Sequence, residues 1–224
     1  MQVTRQIVPL SYEPKHRFLE ATALVLFGAL GLWCAWRMAG TPAWLIVPAA
    51  LGAWIATDFF SGLVHWAGDT WGSARTPCVG PWFIRPFREH HDDPLAMTKH
   101  DFVETNGSSA IAGLPLLLAG AALPIEGPGS AFSQAFLLFL ALGGLVANQC
   151  HKWAHMKEAN LPALVALGQR MRLILPPKTH RRHHARPHDT HYCTASGWMN
   201  EVLERSAFFR RIERGISSLT QKNA

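Results

Sequence analysis

The stretch AFSQAFLLFLALGGLVANQCHKWAH, residues 131–155, decides how this chain folds. Residues 131–151 contain no Asp, Glu, Lys or Arg and are long enough to cross a bilayer as one helix. The run ends by delivering His151 and His155, four residues apart, a spacing that places two side chains on one helical face. An apolar span that finishes in paired imidazoles predicts an all-α integral membrane protein with its chemistry at one membrane face.

Three further apolar segments lie upstream, at about residues 18–38, 42–65 and 109–125. The first two have the length of a span. The third is short and interrupted by Pro115, so it reads as a tilted span or a re-entrant pair. The composition agrees: 49% of the chain is hydrophobic and 16% charged, against roughly 25% charged in soluble domains. Nine Trp and twelve Phe against two Tyr fit a surface that meets lipid. The expected organisation is one domain. It has a polar tail at 1–17, four transmembrane segments within 18–151 with a loop at about 66–108, and a histidine-rich region with an amphipathic helix at 152–224. The polar start predicts a retained anchor rather than a cleaved leader.

With four crossings, every one of the 21 Lys and Arg except Arg37 falls on one side. Positive residues stay cytoplasmic, so both termini and the 66–108 loop are expected there. Three crossings would split the bases between the two faces. The net charge of +6 is thereby explained by topology, and no basic run interleaved with aromatics points to nucleic acid. Cys34, Cys78, Cys150 and Cys193 stand singly with no CxxC, which argues against a zinc ribbon or thioredoxin-type motif, and nothing in their spacing suggests a disulfide framework. Residues 161–175, between Pro162 and Pro176-Pro177, read as an interfacial amphipathic helix. A second is expected at about 201–219, with Leu203, Phe208 and Ile212 toward lipid and Arg205, Arg211 and Arg214 toward phosphates.

In this topology ten of the twelve histidines gather at the cytoplasmic level: His65, His90, His91, His100, His151, His155, His180, His183, His184 and His188. Neutral imidazole is the commonest protein ligand for transition metals. Ten exceed the roughly four to six that one ion uses, so the chain predicts two metals, or one with a rich outer shell. On the second segment Asp58, Gly62, His65 and Asp69 share a face. An intramembrane carboxylate marks function by default. Asp58 either receives the N–H of a ligating histidine or bonds a neighbouring helix, and Asp69 is a ligand or a helix-end cap. Asn148 repeats the pattern beside His151, as a ligand orienter or a water-mediated contact. Residues 152–154 are Lys-Trp-Ala, so the general base of an HExxH protease is missing.

The run HRRHH at 180–184 puts His180 near both His183 and His184 on a helix, although its Arg181-Arg182 pair also suits a basic loop on lipid phosphate. In REHHDDP, His90 and His91 are expected ligands and Asp92-Asp93 a cap before Pro94. His100 is followed by Asp101 and Glu104 as outer-shell candidates. His16 reads as structural or solvated, and His191 is left open.

The stretches DFFSGLVHWAGDTWGS (58–73), RPFREHHDDP (85–94), KHDFVETNG (99–107), NQCHKWAH (148–155) and LPPKTHRRHHARPHDTHYC (175–193) resemble the Kua-type lipid desaturases, the plasmalogen-forming plasmanylethanolamine desaturase family. The likeness runs over about 58–214 and includes the spacing between blocks. It implies a di-iron enzyme that uses O2 and two electrons from a cytochrome- or ferredoxin-type donor. The implied substrate is a 1-O-alkyl ether phospholipid, dehydrogenated to a vinyl ether at the first two carbons of its alkyl chain. It places the metals on the ten histidines named above and leaves His191 outside. Related plant-type members act on acyl lipids. Arg85, Arg88, Arg181 and Arg182 are then expected at the lipid phosphate or as interface anchors. Competing classes are a membrane hydroxylase with the same site and a metal transporter or sensor. Transport is disfavoured because the first and third segments carry no ionisable side chain in mid-span.

Overall fold

In a computed structural model, which describes residues 14–77, 79–124 and 126–222, every regular element among the described residues is helical. Residues 1–13 of the expected tail, with Arg5, lie outside the described residues, as do Cys78 and Ile125. The chain begins with α1 (Pro14–Arg37) and α2 (Ala43–Thr70), separated by a turn through Gly40 with φ +88°. A π-helical turn (Gly80–Ile84) leads into the short α3 (Arg85–Asp92), and a 3-10 turn (Ala96–Lys99) precedes α4 (Phe102–Ala122). Asp101 caps α4 by accepting from the Glu104 N–H at 3.0 Å. Next come α5 (Pro128–His155), with proline in its first turn, then α6 (Ala163–Arg170), α7 (Pro177–His183), α8 (Trp198–Arg205) and α9 (Phe208–Lys222).

Three helices, α1, α2 and α5, are long and apolar enough to cross a membrane. The segment read as a marginal span forms α4, whose first turns carry Glu104, Thr105 and Asn106. The four long helices are packed in sequence α1–α4–α5–α2, and α2 does not pack along α4. A groove floored by α5 therefore runs between α2 and α4. The outward faces of α1 and α2 remain apolar, with Leu26, Trp33, Trp36, Leu51 and Ile55 exposed.

Small residues let the helices approach. A Cβ on Gly143 would collide with the Thr57 hydroxyl, so α2 and α5 nearly touch there. Gly143→Val is expected to force them apart at a cost of roughly 1–3 kcal/mol, read as a lowered melting temperature in detergent. An unchanged melting temperature would show that the contact is dispensable.

The C-terminal region departs from expectation. Residues 161–175 fold as the shorter α6, followed by a left-handed turn at Arg172. That turn docks on α2, where Trp54 Nε1 donates to the Leu173 carbonyl at 3.2 Å. The second expected amphipathic helix is broken at Ala207, φ +49°, into α8 and α9. Its residues Leu203, Phe208 and Ile212 pack with Trp66, Tyr192 and Phe209 rather than facing lipid. Glu213 fixes this docking by accepting from Trp66 Nε1 at 2.7 Å. After α7, residues 192–199, which run into the first turn of α8, climb α2. The Thr194 N–H donates to Ser61 Oγ at 2.9 Å. The Ser196 and Gly197 N–H groups donate to Asp58 Oδ1 at 2.7 and 2.8 Å, and Met199 N–H to Oδ2 at 2.8 Å.

Candidate metal centre

The last turns of α2 and α5, together with α3 and α7, bring imidazoles together in two adjacent groups. The first joins His90 of α3, His151 and His155 of α5, and His180 and His184 around α7. His180 Nε2 lies 2.8 Å from His151 Nε2, 2.8 Å from His155 Nε2 and 3.0 Å from His184 Nε2, and His184 Nε2 is 3.1 Å from His90 Nε2. A neutral imidazole has one N–H, so hydrogen bonding cannot satisfy this convergence. Ligands about 2.1 Å from a common ion have neighbouring nitrogens about 3 Å apart, which is the spacing seen. The residues fit a metal ion.

The second group is His65, Asp69, His91 and His183. His65 Nδ1 donates to the Tyr192 carbonyl at 3.1 Å and His183 Nδ1 to the Thr190 carbonyl at 2.8 Å. Those bonds fix the tautomer and leave Nε2 of each ring as an acceptor. Both Nε2 atoms are 3.5 Å from Asp69 Oδ2, and all three are buried without a hydrogen-bond partner. His91 Nε2 lies 3.1 Å from Asp69 Oδ1. Orphaned acceptors facing one another are repulsive unless a cation sits among them, so this group fits a second ion.

The paired histidines divide between the groups. His90 and His184 face one, while their neighbours His91 and His183 face the other. Consecutive residues on a helix point about 100° apart, so α3 and α7 form a partition, with His90, His180 and His184 on one side and His91 and His183 on the other. The groups are adjacent: the His65 and His151 rings are 5.4 Å apart, centre to centre. Burial, ahead of the neighbouring imidazoles, holds His90 and His180 well below the ordinary imidazole range, and His183 and His184 at about 3. They are neutral near pH 7 and present lone pairs rather than protons.

The other expected site residues are placed as follows. His188 stands behind His91, with Nδ1 atoms 3.1 Å apart, outside both groups. His100 is partly exposed, 3.5 Å from Glu104, and also outside. Asp58 does not orient an imidazole. Its oxygens accept three main-chain N–H groups, so it anchors the segment that carries the Tyr192 carbonyl. Asn148 Nδ2 donates to Ser109 Oγ at 2.9 Å and the Thr105 carbonyl at 3.3 Å, tying α5 to α4. Arg88 Nη2 donates to the Asp69, Trp71 and Gly72 carbonyls at the end of α2, and Arg85 pairs with Glu89. Arg181 and Arg182 are exposed on the outer side of α7. Asp69, read as a ligand or a helix-end cap, stands inside the second group. Its only signal in sequence is its place four residues after His65. The Tyr192 and Thr190 carbonyls carry no signal at all.

A cavity of about 370 Å³ fills the groove between α2 and α4 and ends at His151. Its walls are mostly apolar, including Phe60, Val64, Leu116 and Leu140.

Membrane-capable helices, two imidazole-rich groups that could each hold a metal ion, and an apolar cavity leading to them are the features of a membrane-associated enzyme with a hydrophobic substrate. Residues 54–224 match the lipid desaturase domain family, and the chain belongs to this family of oxidoreductases. It is 45% identical over 222 residues to a plasmanylethanolamine desaturase of Myxococcus xanthus, covering 98% of this chain and 78% of that one. Against plasmanylethanolamine desaturase 1 of Mus musculus the identity is 41% over 220 residues, covering 93% and 80%. The chloroplastic fatty acid desaturase 4 of Arabidopsis thaliana is 32% identical over 169 residues, covering 74% of this chain and 50% of that one. No solved structure matches the chain.

Proposed function

We propose that the protein is a di-iron, O2-dependent desaturase that introduces the vinyl ether double bond into a 1-O-alkyl ether phospholipid, converting plasmanyl- to plasmenylethanolamine. The observation that carries this reading is the division of the histidines into two adjacent groups, each fitting one ion. The relatives named as plasmanylethanolamine desaturases support the substrate. Iron suits an imidazole-rich set and would supply, with O2, the oxidising power that side chains lack. In the balance, –O–CH2–CH2– becomes –O–CH=CH–. One O2 takes up those two hydrogens, two electrons from a cytochrome- or ferredoxin-type donor and two protons, and leaves as two waters.

The chain's own residues bind and position. His90, His151, His155, His180 and His184 would hold one iron. His65, His91, His183 and Asp69 would hold the other, with His188 supporting His91. The main-chain acceptors at Tyr192 and Thr190 keep His65 and His183 aimed inward. Apolar walls exclude water from the reacting chain. Arg181 and Arg182 are exposed and would meet the lipid phosphate, Arg182 beside His191 at 3.5 Å, whereas Arg88 is committed to the end of α2. In this reading α4 is the fourth crossing, and both termini and both metal groups face the cytoplasm. Arg37, the one base assigned to the opposite side, donates to the Ala121 and Leu123 carbonyls at the end of α4.

The test is lipid analysis of a host lacking vinyl ethers, supplied with alkyl ether lipid and expressing the protein, together with metal analysis of the purified chain. Acid-labile vinyl ethers and two irons per chain are expected. Changed acyl unsaturation without vinyl ethers would assign an acyl-lipid substrate, and one zinc with no iron would overturn the proposal.

A further inference from the structure

We infer that the groove between α2 and α4 is the site for a single saturated lipid chain, taken in sideways from the bilayer, and that Gly144 sets how much of the chain it accommodates. The inference deepens the lipid desaturase reading and rests on it for the choice of ligand.

Because α2 and α4 both pack on α5 but not along each other, the space between them stays open along the helices. Phe60 and Val64 of α2 line it and are nearly half exposed, at 48% and 46%, so it opens toward the outer apolar surface rather than only toward water. From His151 to Leu140 the cavity follows α5 for eleven residues, about 16 Å at the helical rise. Spread over that length, a volume of about 370 Å³ makes a slot that suits a single chain, with one end at His151 of the first histidine group and the other at Leu116 and Leu140. The end near His151 is the end a lipid headgroup can reach, so the carbons nearest the headgroup would lie beside the metals and the methyl end would point away.

Two consecutive glycines on the floor do different things. Gly143 faces α2, where the Thr57 hydroxyl leaves no room for a Cβ. Gly144, turned by one residue, lines the cavity, and a Cβ there meets nothing within 4 Å. A larger side chain at Gly144 would take up cavity space without displacing protein atoms near its Cβ.

The test uses the iron-loaded protein in lipid nanodiscs without oxygen. The probe is a 1-O-hexadecyl phosphatidylethanolamine with a diazirine near the methyl end of the ether chain. Photolysis is expected to label residues at the far end of the slot, Leu116 and Leu140, and Gly144→Leu is expected to reduce that labelling at least fivefold. Leu140→Trp, which fills the slot from its other end, provides a second variant should the first not fold. Gly28→Leu, on an exposed face of α1 where a Cβ also meets nothing, should leave the labelling unchanged. Labelling spread over outward residues such as Trp33 and Leu51, equal in all variants, would overturn the inference. Slot labelling in a protein that forms no vinyl ether would uphold the chain site while removing the proposed reaction.

Discussion

Alanine at His180 is expected to abolish turnover and halve the iron content, from two ions per chain to one. This nitrogen is the hub of the first group, within 3.0 Å of Nε2 on His151, His155 and His184. The side chain is 1% exposed, so water cannot readily replace it. His183→Ala should do the same to the other ion, because its Nε2 has no role but to face His65 and Asp69. Losing a supporting partner costs a metal site roughly 10–100-fold, which is the range expected for His188→Ala, since His188 touches His91 from behind. His100→Ala should stay near wild type, since its ring meets Glu104 outside both groups. Iron per chain and vinyl ether output, measured on the same preparations, check the ranking. Damage from His100→Ala equal to that from His180→Ala would place the reacting site elsewhere.

The ranking uses information that the sequence holds only in part. The spacings of His151 with His155 and of His180 with His184 are local, and a helix turns them directly into convergent pairs. Apolar length likewise identifies α1, α2 and α5, whereas α4, whose apolar run is short and interrupted by Pro115, is marginal in sequence and is not one of the three membrane-capable helices among the described residues. The division of His90 from His91, and of His183 from His184, depends on how α3 and α7 are rotated about their axes. That rotation is set by tertiary packing, so neighbouring histidines look equivalent in sequence. Leu203, Phe208 and Ile212 show a related ambiguity. An apolar helical face reads the same whether it meets lipid or Trp66. The groove is illegible for a further reason: it exists because two helices fail to pack, and no residue pattern records a missing contact.

Asp58→Ala is expected to be the most destabilising single change, although Asp58 touches no metal-binding atom. The carboxylate is 0% exposed and accepts three main-chain N–H groups at the start of α8, at 2.7, 2.8 and 2.8 Å. A buried charge in a largely apolar helix is tolerable only with such full compensation, and the N-terminus of α8 adds a favourable dipole. Alanine would leave three donors unpaired at about 1–3 kcal/mol each, and partial rearrangement brings the expected loss to roughly 3–5 kcal/mol. The segment released is the one that climbs α2, and four residues before Ser196 it supplies the carbonyl that aims His65. The second iron should therefore be lost along with thermal stability and with protection of residues 192–199 from proteolysis. Asn at this position keeps one acceptor but turns an amide donor toward other donors, so Asp58→Asn should fall between wild type and alanine in all three measurements. Had Asp58 oriented an imidazole directly, the asparagine variant would shed iron with its melting temperature intact. Joint loss of iron and stability is the signature of an anchor that acts through the backbone.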